Sequence, residues 1–402
     1  MQLVAVPTPP ALAHRTARTA VTVAGPDGRP AADAEVTVEQ RRHEFAFGNS
    51  GFDFVPPPGD ENAEPGGPLA GLWLDLFNTA TLPFYWRDVE PVRGRPDTAR
   101  LLRAARWLVD HGCAVKGHPL AWHTLAPQWL LPLPEDEVAA AVVDRITREV
   151  TGFAGVIDTW DAINEVVIMP RFDREANGLT RLCARDGRVA TVARTFDAAR
   201  AANPRATLLL NDFDLSAEYE QLIEDCLAAG IRIDALGLQT HMHQGYWGED
   251  RTLAMLDRFA RFGLPLHLTE TTLVSGHVMP AEIEDLNDYV IDDWPSTPAG
   301  EERQADEIAR HYRTLLGHPA VQSVTYWGLS DDGAWLGAPA GLVRADGTPK
   351  PAYDALHALI KGAWWLPPTS VRTDGDGRFE LEGFRGDYVV RGPGEPGDVR
   401  LG

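Results

Sequence analysis

The feature that most restricts the fold of this chain is a regular alternation of short apolar runs with helical segments. Apolar residues recur at helical spacing between positions 98 and 112 and again between 189 and 202, where an Asn-Pro pair ends the run. A short apolar run bounded by turn residues is typical of a buried strand. Eight such runs occur in order, at residues 45–51, 72–78, 113–117, 156–164, 207–211, 235–239, 265–269 and 321–327.

Eight strand-then-helix units predict an α/β fold, a (β/α)8 TIM barrel in which the strands close into a parallel cylinder. Such a barrel takes about 250 residues. The chain has 402 residues, so an accessory module is also expected. A doubly wound open sheet is the alternative, although it usually has fewer strands.

The two ends of the chain have a different pattern. Residues 17–42 and 368–392 each contain runs of alternating apolar and polar residues around an Asp-Gly turn, which is typical of β-hairpins. Neither end is large enough to bury a core alone. We therefore predict that the two ends meet in one small β-sandwich. The predicted domains are an N-terminal β segment at 1–43, the barrel at 44–362 and a C-terminal β segment at 363–402.

The charge of the chain restricts its partners. Asp and Glu total 58 against 37 Lys and Arg, a formal net charge of −21. This charge disfavours nucleic acid and anionic membranes as partners, because both carry negative charge. No apolar run approaches the length of a membrane span. We expect a neutral ligand, and the oligomeric state stays open.

The cysteines and the N-terminus indicate neither a metal site nor a leader. Cys113, Cys183 and Cys226 lack the spacing of metal ligands, so no metal and no cofactor are implied. The first residues contain no apolar segment of signal-peptide length. The sequence as written therefore predicts a cytoplasmic protein, or a secreted one if a leader has been removed.

Two carboxylates follow apolar strands at the end of the barrel where chemistry is expected. Glu165 follows the fourth predicted strand and Glu270 follows the seventh. A charged side chain at such a position costs free energy, so its presence indicates a functional role. Glycoside hydrolysis needs two carboxyl groups, one to protonate the leaving oxygen and one to attack the sugar or activate water. Either residue alone fits a surface charge at a strand end, but the pair favours catalysis.

Six short segments at the predicted strand ends resemble glycoside hydrolase family 10, the xylanase family. The resemblance covers most of residues 45–360 and implies a retaining β-glycosidase on a (β/α)8 barrel. Each segment is weakly specific alone, and the six in order are strongly specific. They are HPLAWH at 118–123, WDAINE at 160–165, LNDFD at 210–214, GLQTH at 237–241, HLTE at 267–270 and YWGLSDDGAW at 326–335.

The resemblance implies a role for each matching residue. Glu165 is expected to be the general acid/base and Glu270 the nucleophile. His241 is expected to orient Glu270 and to lie with the residues that contact the sugar. Those predicted substrate contacts are Tyr85, His118, Trp122, Asn164, Gln239, Trp327 and Trp335, and the predicted supporting residues are Asp161, Asn211 and Thr272.

The chain departs from the family pattern at two places. Thr81, Leu82 and Tyr85 stand where the family usually has Glu, Asn and Lys, which bind the non-reducing side of the glycan. Thr272 stands where the family commonly has an Asp that partners the histidine. We expect Leu82, Phe84 and Tyr85 to form a less polar glycone side. We also hypothesise that the acidic segment 273–300, which contains Trp294, caps the cleft and favours short substrates.

Three functions compete. The leading one is a retaining β-glycoside hydrolase, resembling endo-1,4-β-xylanase, that cleaves a β-1,4-linked xylose- or glucose-type glycan or a short β-glycoside. The alternative is a catalytically weak carbohydrate-binding protein on a hydrolase scaffold, which the lost contacts favour and the carboxylate pair opposes. An unrelated barrel enzyme ranks last, because we find neither a strand-end Lys for Schiff-base chemistry nor metal-ligand spacing.

Overall fold

The computed structural model describes residues 1–60 and 63–402. The chain divides into two compact units. One unit contains Met1–Ala46, Leu273–Gln322 and Ser330–Gly402, and the other contains Phe47–Thr272 and Ser323–Leu329.

Fifteen strands are found in the described part of the chain, and eight of them, β4 to β11, close into the barrel in the order β10-β11-β4-β5-β6-β7-β8-β9. The strands are β1 (Leu3–Ala5), β2 (Thr16–Thr22), β3 (Glu35–His43), β4 (Ala46–Ser50), β5 (Thr79–Pro83), β6 (Ala114–His118), β7 (Thr159–Asn164), β8 (Thr207–Asp212), β9 (Ala235–Met242), β10 (Leu266–Leu273), β11 (Val321–Tyr326), β12 (Thr369–Arg372), β13 (Arg378–Phe384), β14 (Gly386–Arg391) and β15 (Gly397–Leu401). The predicted (β/α)8 fold is confirmed.

Helices connect the barrel strands along the chain, as parallel strands require. They are α1 (Ala70–Leu76), α2 (Trp86–Val89), α3 (Ala99–Asp110), α4 (Glu135–Phe153), α5 (Gly178–Asp186), α6 (Arg188–Ala202), α7 (Ala217–Ala228), α8 (Glu249–Ala260) and α9 (Pro298–Gly317), and a further helix, α10 (Pro351–His357), follows the last barrel strand. In the described part of the chain, no helix combines the length and apolar character needed to cross a membrane.

The two ends of the chain pair with each other in two small sheets. One sheet has the order β1-β13-β2 and the other β12-β3-β14-β15, so each contains strands from both termini. Phe379, Leu381 and Tyr388 are buried there, and the Tyr388 hydroxyl donates to the carbonyl of Phe384 at 2.6 Å. The prediction that both termini contribute extra β-structure is confirmed. The domain boundaries at 43/44 and 362/363 stay a prediction.

The second barrel strand lies further along the chain than expected. Residues 72–78 were predicted as a strand, but Ala70–Leu76 forms α1 and Thr79–Pro83 forms the strand. Trp73 and Leu76 are both buried at helical spacing, and the Trp73 indole donates to the carbonyl of Ser50 at 3.1 Å. Periodicity alone does not distinguish so short an apolar run as helix or strand.

One buried arginine holds the backbone that follows β5 and β6. The Arg145 guanidinium, on α4, donates to the carbonyls of Phe84, Pro119 and Leu120. These carbonyls follow the ends of two barrel strands, where no strand partner satisfies them. Since unpaired buried carbonyls are costly, Arg145 stabilises the segment that carries Trp122.

Candidate active site

Glu165 lies directly after β7 in an unusual backbone conformation. Its φ is 57°, in the left-handed region that a residue with a Cβ rarely adopts. Such a conformation costs on the order of 1–3 kcal/mol and persists only where its surroundings hold it. Here the Glu165 N–H donates to the carbonyl of Asn211, and the N–H of Val167 donates to the buried carboxylate of Asp212. The strain therefore lies at the residue that the sequence predicts to be the acid/base.

Three side-chain donors contact the Glu165 carboxylate. The Trp122 indole donates to Oε2 at 2.7 Å, while the amides of Asn164 and Gln239 donate to Oε1 at 3.0 and 3.2 Å. Burial, with the charge of Glu270 added, nevertheless raises the pKa of Glu165 to about 7. The group can therefore hold a proton near neutral pH.

Glu270 lies within β10 and has the opposite electrostatic balance. Its Oε2 lies 3.1 Å from Nε2 of His241, and its Oε1 lies 3.4 Å from the Asn211 amide and 3.9 Å from Nε2 of His118. Burial tends to raise the pKa of Glu270, but the His241 hydrogen bond and the positive potential of His118 and Lys116 outweigh it, so the pKa is lowered. The carboxylate therefore stays ionised.

A continuous chain of hydrogen bonds connects the two carboxylates. The Asn211 amide donates both to Glu270 Oε1 and to Asn164 Oδ1, the latter at 2.7 Å, and Asn164 in turn donates to Glu165 Oε1. A Cβ at Gly237 would overlap the Asn211 side chain, so the absence of a side chain there leaves Asn211 its place. Both carboxylates thus belong to one cluster at the same end of the barrel.

A buried charge network supports His118. Asp161 Oδ2 lies 2.7 Å from His118 Nδ1 and 2.8 Å from the Lys116 ammonium. Burial tends to raise the pKa of Asp161, but the charge of Lys116 and the His118 hydrogen bond lower it overall. Because Asp161 accepts from Nδ1, the other ring nitrogen of His118 is directed toward Glu270. Lys116 was missed, although a lysine within an otherwise apolar strand was a usable signal.

Aromatic rings surround His118. The Trp327 and Tyr85 ring centroids lie 5.5 and 6.0 Å from it, and Tyr85 lies 5.6 Å from Trp122. Phe52, which sequence reasoning missed, lies between the other two rings, 5.3 Å from Trp327 and 5.8 Å from Tyr85. We call Phe52, Tyr85 and Trp327 the aromatic wall. No motif of the resemblance includes Phe52, so only the fold associates it with the site.

Two of the residues expected on the glycone side do not line the site. Leu82 and Phe84 are fully buried. Phe84 packs its ring 4.8 Å from Trp160 and 4.9 Å from Phe153 in the barrel core. The expectation was wrong for these two, because residues on one short segment alternate between site and core. Tyr85 is partly exposed and remains a candidate contact.

Trp335 and Trp294 lie in the other compact unit. Trp335 begins a short helical turn and is 38% exposed. Trp294 is buried in a cluster with Val274 and Met279, and its indole donates to the carbonyl of His277 at 2.9 Å. A substrate contact by Trp335 and a cap formed by residues 273–300 stay predictions.

The comparisons with known proteins agree with this arrangement. Residues 80–359 match the model of glycosyl hydrolase family 10. An endo-1,4-beta-xylanase B of Thermotoga neapolitana is 24% identical over 290 residues, which cover 69% of this chain and 78% of that protein. The solved structure of a GH10 protein from Paenibacillus barcinonensis has a TM-score of 0.65 at 24% identity, covering 78% of this chain and 94% of that one.

Some relatives are much longer than this chain. An endo-1,4-beta-xylanase B of Neocallimastix patriciarum is 24% identical over 277 residues, but these span only 29% of its length. The residues matched by the family model, 80–359, include all six of the predicted strand-end motifs. The resemblance predicted from the strand-end motifs is confirmed, and this protein belongs to glycosyl hydrolase family 10.

Proposed function

We propose that this glycoside hydrolase cleaves short β-1,4-linked xylose- or glucose-type glycans or β-glycosides with retention of configuration. Glu165 is the general acid/base and Glu270 is the nucleophile. The observation that carries the proposal is the pair of carboxylates, joined through Asn164 and Asn211, with pKa values shifted in opposite directions. Two carboxyl groups with pKa values moved apart are what an acid and a nucleophile in one site require.

The reaction proceeds in two displacements. In the first, Glu165 gives its proton to the leaving oxygen while Glu270 attacks the anomeric carbon, so that the C–O bond to the leaving group breaks and an ester to Glu270 forms. In the second, Glu165 removes a proton from water, the water oxygen bonds to the anomeric carbon and the ester breaks. His118 and Asn164 have their polar atoms directed toward the carboxylates, and they are the proposed contacts to the sugar hydroxyls.

The aromatic wall supports a preference for short substrates. Of the three residues that replace polar groups of the family, Tyr85 is partly exposed, whereas Thr81 and Leu82 are fully buried. Tyr85 presents a ring where the family usually has a lysine, and the Phe52 ring lies 5.8 Å from that ring. A ring stacks on a sugar but offers few hydrogen-bond donors, so a second glycone sugar gains little there. The xylanase names of the relatives support xylose as the glycone.

A covalent trap tests the proposed function. We expect the protein to release phenol from aryl β-xyloside or aryl β-glucoside and to cut polymeric xylan more slowly. A 2-deoxy-2-fluoro sugar with a good leaving group is expected to add its glycosyl mass to the protein, and peptide mass spectrometry is expected to find the label on Glu270. Unmodified protein after the trap, together with measurable glycan binding, would indicate the carbohydrate-binding alternative instead.

Removing the central ring of the aromatic wall is expected to change glycone preference. Phe52→Ala leaves space between Tyr85 and Trp327, so we expect the ratio of kcat/KM on aryl β-xylobioside to that on aryl β-xyloside to rise about tenfold, the scale of one pocket contact. Phe262→Ala is the matched control, because Phe262 is a partly buried ring beside Arg261 at the end of α8. An unchanged ratio in Phe52→Ala would argue against a wall that limits the glycone.

A further inference from the structure

The Thr272 hydroxyl lies between two histidines. Its Oγ1 is 3.4 Å from Nδ1 of His241 and 3.4 Å from Nδ1 of His243. Nε2 of His241 is in turn 3.1 Å from the Glu270 carboxylate. Thr272 and His243 are almost wholly inaccessible to solvent. The four residues therefore form a line from His243 through Thr272 and His241 to the proposed nucleophile.

The positions of the hydrogens along this line follow from the Glu270 carboxylate at its end. An ionised carboxylate only accepts hydrogen bonds, so His241 carries a proton on Nε2 where it meets Glu270. In the neutral ring, Nδ1 is then an acceptor, and the Thr272 hydroxyl donates its one proton to it. The Thr272 oxygen is left as an acceptor, which requires His243 to carry its proton on Nδ1. One tautomer of each ring satisfies every contact in the line.

We propose that His243 is a positioning residue that acts through Thr272 and His241 to keep the donor of His241 aimed at Glu270. This role rests on the proposed function of Glu270 as nucleophile. The hydroxyl of Thr272 stands where the family commonly has an Asp, and a hydroxyl can orient a ring only if its own hydrogen is directed. His243 directs that hydrogen by donating to the oxygen.

Electrostatics is consistent with this arrangement. Burial, together with the neighbouring His241, lowers the pKa of His243 to about 3, so His243 stays neutral over the working pH range. A neutral ring has one proton on one nitrogen, and this is what the line requires. The titratable groups that interact with Glu270 itself include His241, His118, Lys116, Glu165 and Tyr85. Because the His241 hydrogen bond lowers the pKa of Glu270, a poorly held His241 should let that pKa rise.

Pairs of near-isosteric variants test the role of each group. Thr272→Val removes the hydroxyl and Thr272→Ser keeps it. His243→Leu removes the donor and His243→Asn keeps an N–H close to the position of Nδ1. We expect Thr272→Val and His243→Leu each to lose about 10- to 100-fold in kcat/KM on an aryl β-glycoside, mainly through kcat, as loss of a supporting partner typically does. Thr272→Ser and His243→Asn should retain most of the activity.

Two further readouts separate positioning from mere packing. The double variant Thr272→Val/His243→Leu should be no slower than either single variant by more than about twofold, because both act through one line. The acidic limb of its kcat/KM profile should move to higher pH, as the pKa of Glu270 rises. Additive losses of kcat/KM in the double variant would overturn the proposal. Equal losses of kcat/KM in His243→Asn and His243→Leu, with an acidic limb that does not move, would also overturn it. Thermal unfolding checks that each variant is folded.

A measurement without turnover distinguishes this proposal from the proposed function. Long-range proton–nitrogen NMR spectra of the histidine-labelled wild-type protein, at mildly alkaline pH, report which nitrogen of each ring carries the proton. We expect Nε2 for His241 and Nδ1 for His243. A proton on Nε2 of His243 would overturn the relay even in an active enzyme. The expected tautomers in a protein that releases no phenol would support the relay while refuting the proposed hydrolysis.

Discussion

Glu270→Ala is expected to abolish turnover of aryl β-glycosides, with a fall in kcat of about 10⁴-fold or more, the scale on which enzymes lose rate when the attacking group is removed. The substitution removes the proposed nucleophile, and the donors His241 and Asn211 then face an empty position. Initial rates of phenol release measure the effect. Glu224→Ala, a change of an exposed carboxylate on α7, is the matched control and should be silent.

Azide makes this result specific to the nucleophile. A small anion can enter the space left by the Glu270 carboxylate and attack the anomeric carbon from the same face. We expect azide to restore part of the phenol release of Glu270→Ala and to yield the glycosyl azide of α configuration. Turnover in Glu270→Ala equal to that of the wild type, without azide, would exclude Glu270 as the nucleophile.

The pH profile of kcat/KM is expected to be bell-shaped, with its alkaline limb near pH 7. As the proposed acid, Glu165 must be protonated for the first displacement, and burial, with the charge of Glu270, raises its pKa to about 7. Activity is therefore fully present below this pKa and is lost as the pH rises through it. Glu270 must be ionised, and its pKa is lowered, so the acidic limb lies below the ordinary range of a glutamate.

Two variants assign the alkaline limb. Glu165→Gln should remove it, and should slow substrates with poor leaving groups far more than activated aryl glycosides, which need little protonation. Glu270→Gln removes the negative charge that helps raise the pKa of Glu165, so titration of Glu165 by carboxyl NMR should move to lower pH. An alkaline limb near the ordinary glutamate value in the wild type would contradict the assignment of Glu165 as the acid.

The sequence identified those residues of the candidate site that lie at the ends of the barrel strands. Glu165 and Glu270 were found because each follows an apolar run, and parallel strands bring such positions to one end of a barrel. Asn164, Gln239 and His241 followed from the resemblance of the strand-end motifs to the family. The order of the eight units was sufficient for the fold class, although the second strand was placed on residues that form α1.

Other features depended on contacts between distant residues. Leu82 and Phe84 were expected near the sugar, yet they pack into the core, since the direction of a side chain on a strand depends on register. Phe52 and His243 belong to no motif, and they were found because the fold brings them beside Trp327 and Thr272. Their residue types alone carried no signal of a function.

The sequence by itself determined the family, the barrel and the two carboxylates, because these depend on local pattern and on the order of strands. The resemblance also assigned the acid and the nucleophile, but only the tertiary structure supplies the physical reason, which is that the pKa values of the two glutamates are shifted in opposite directions. A pKa depends on burial and on neighbouring charge, and Glu165 and Glu270 acquire both from residues that are far away in the chain. Burial acts to raise the pKa of both glutamates. It prevails at Glu165, whereas His241, His118 and Lys116 outweigh it at Glu270 and lower the pKa there.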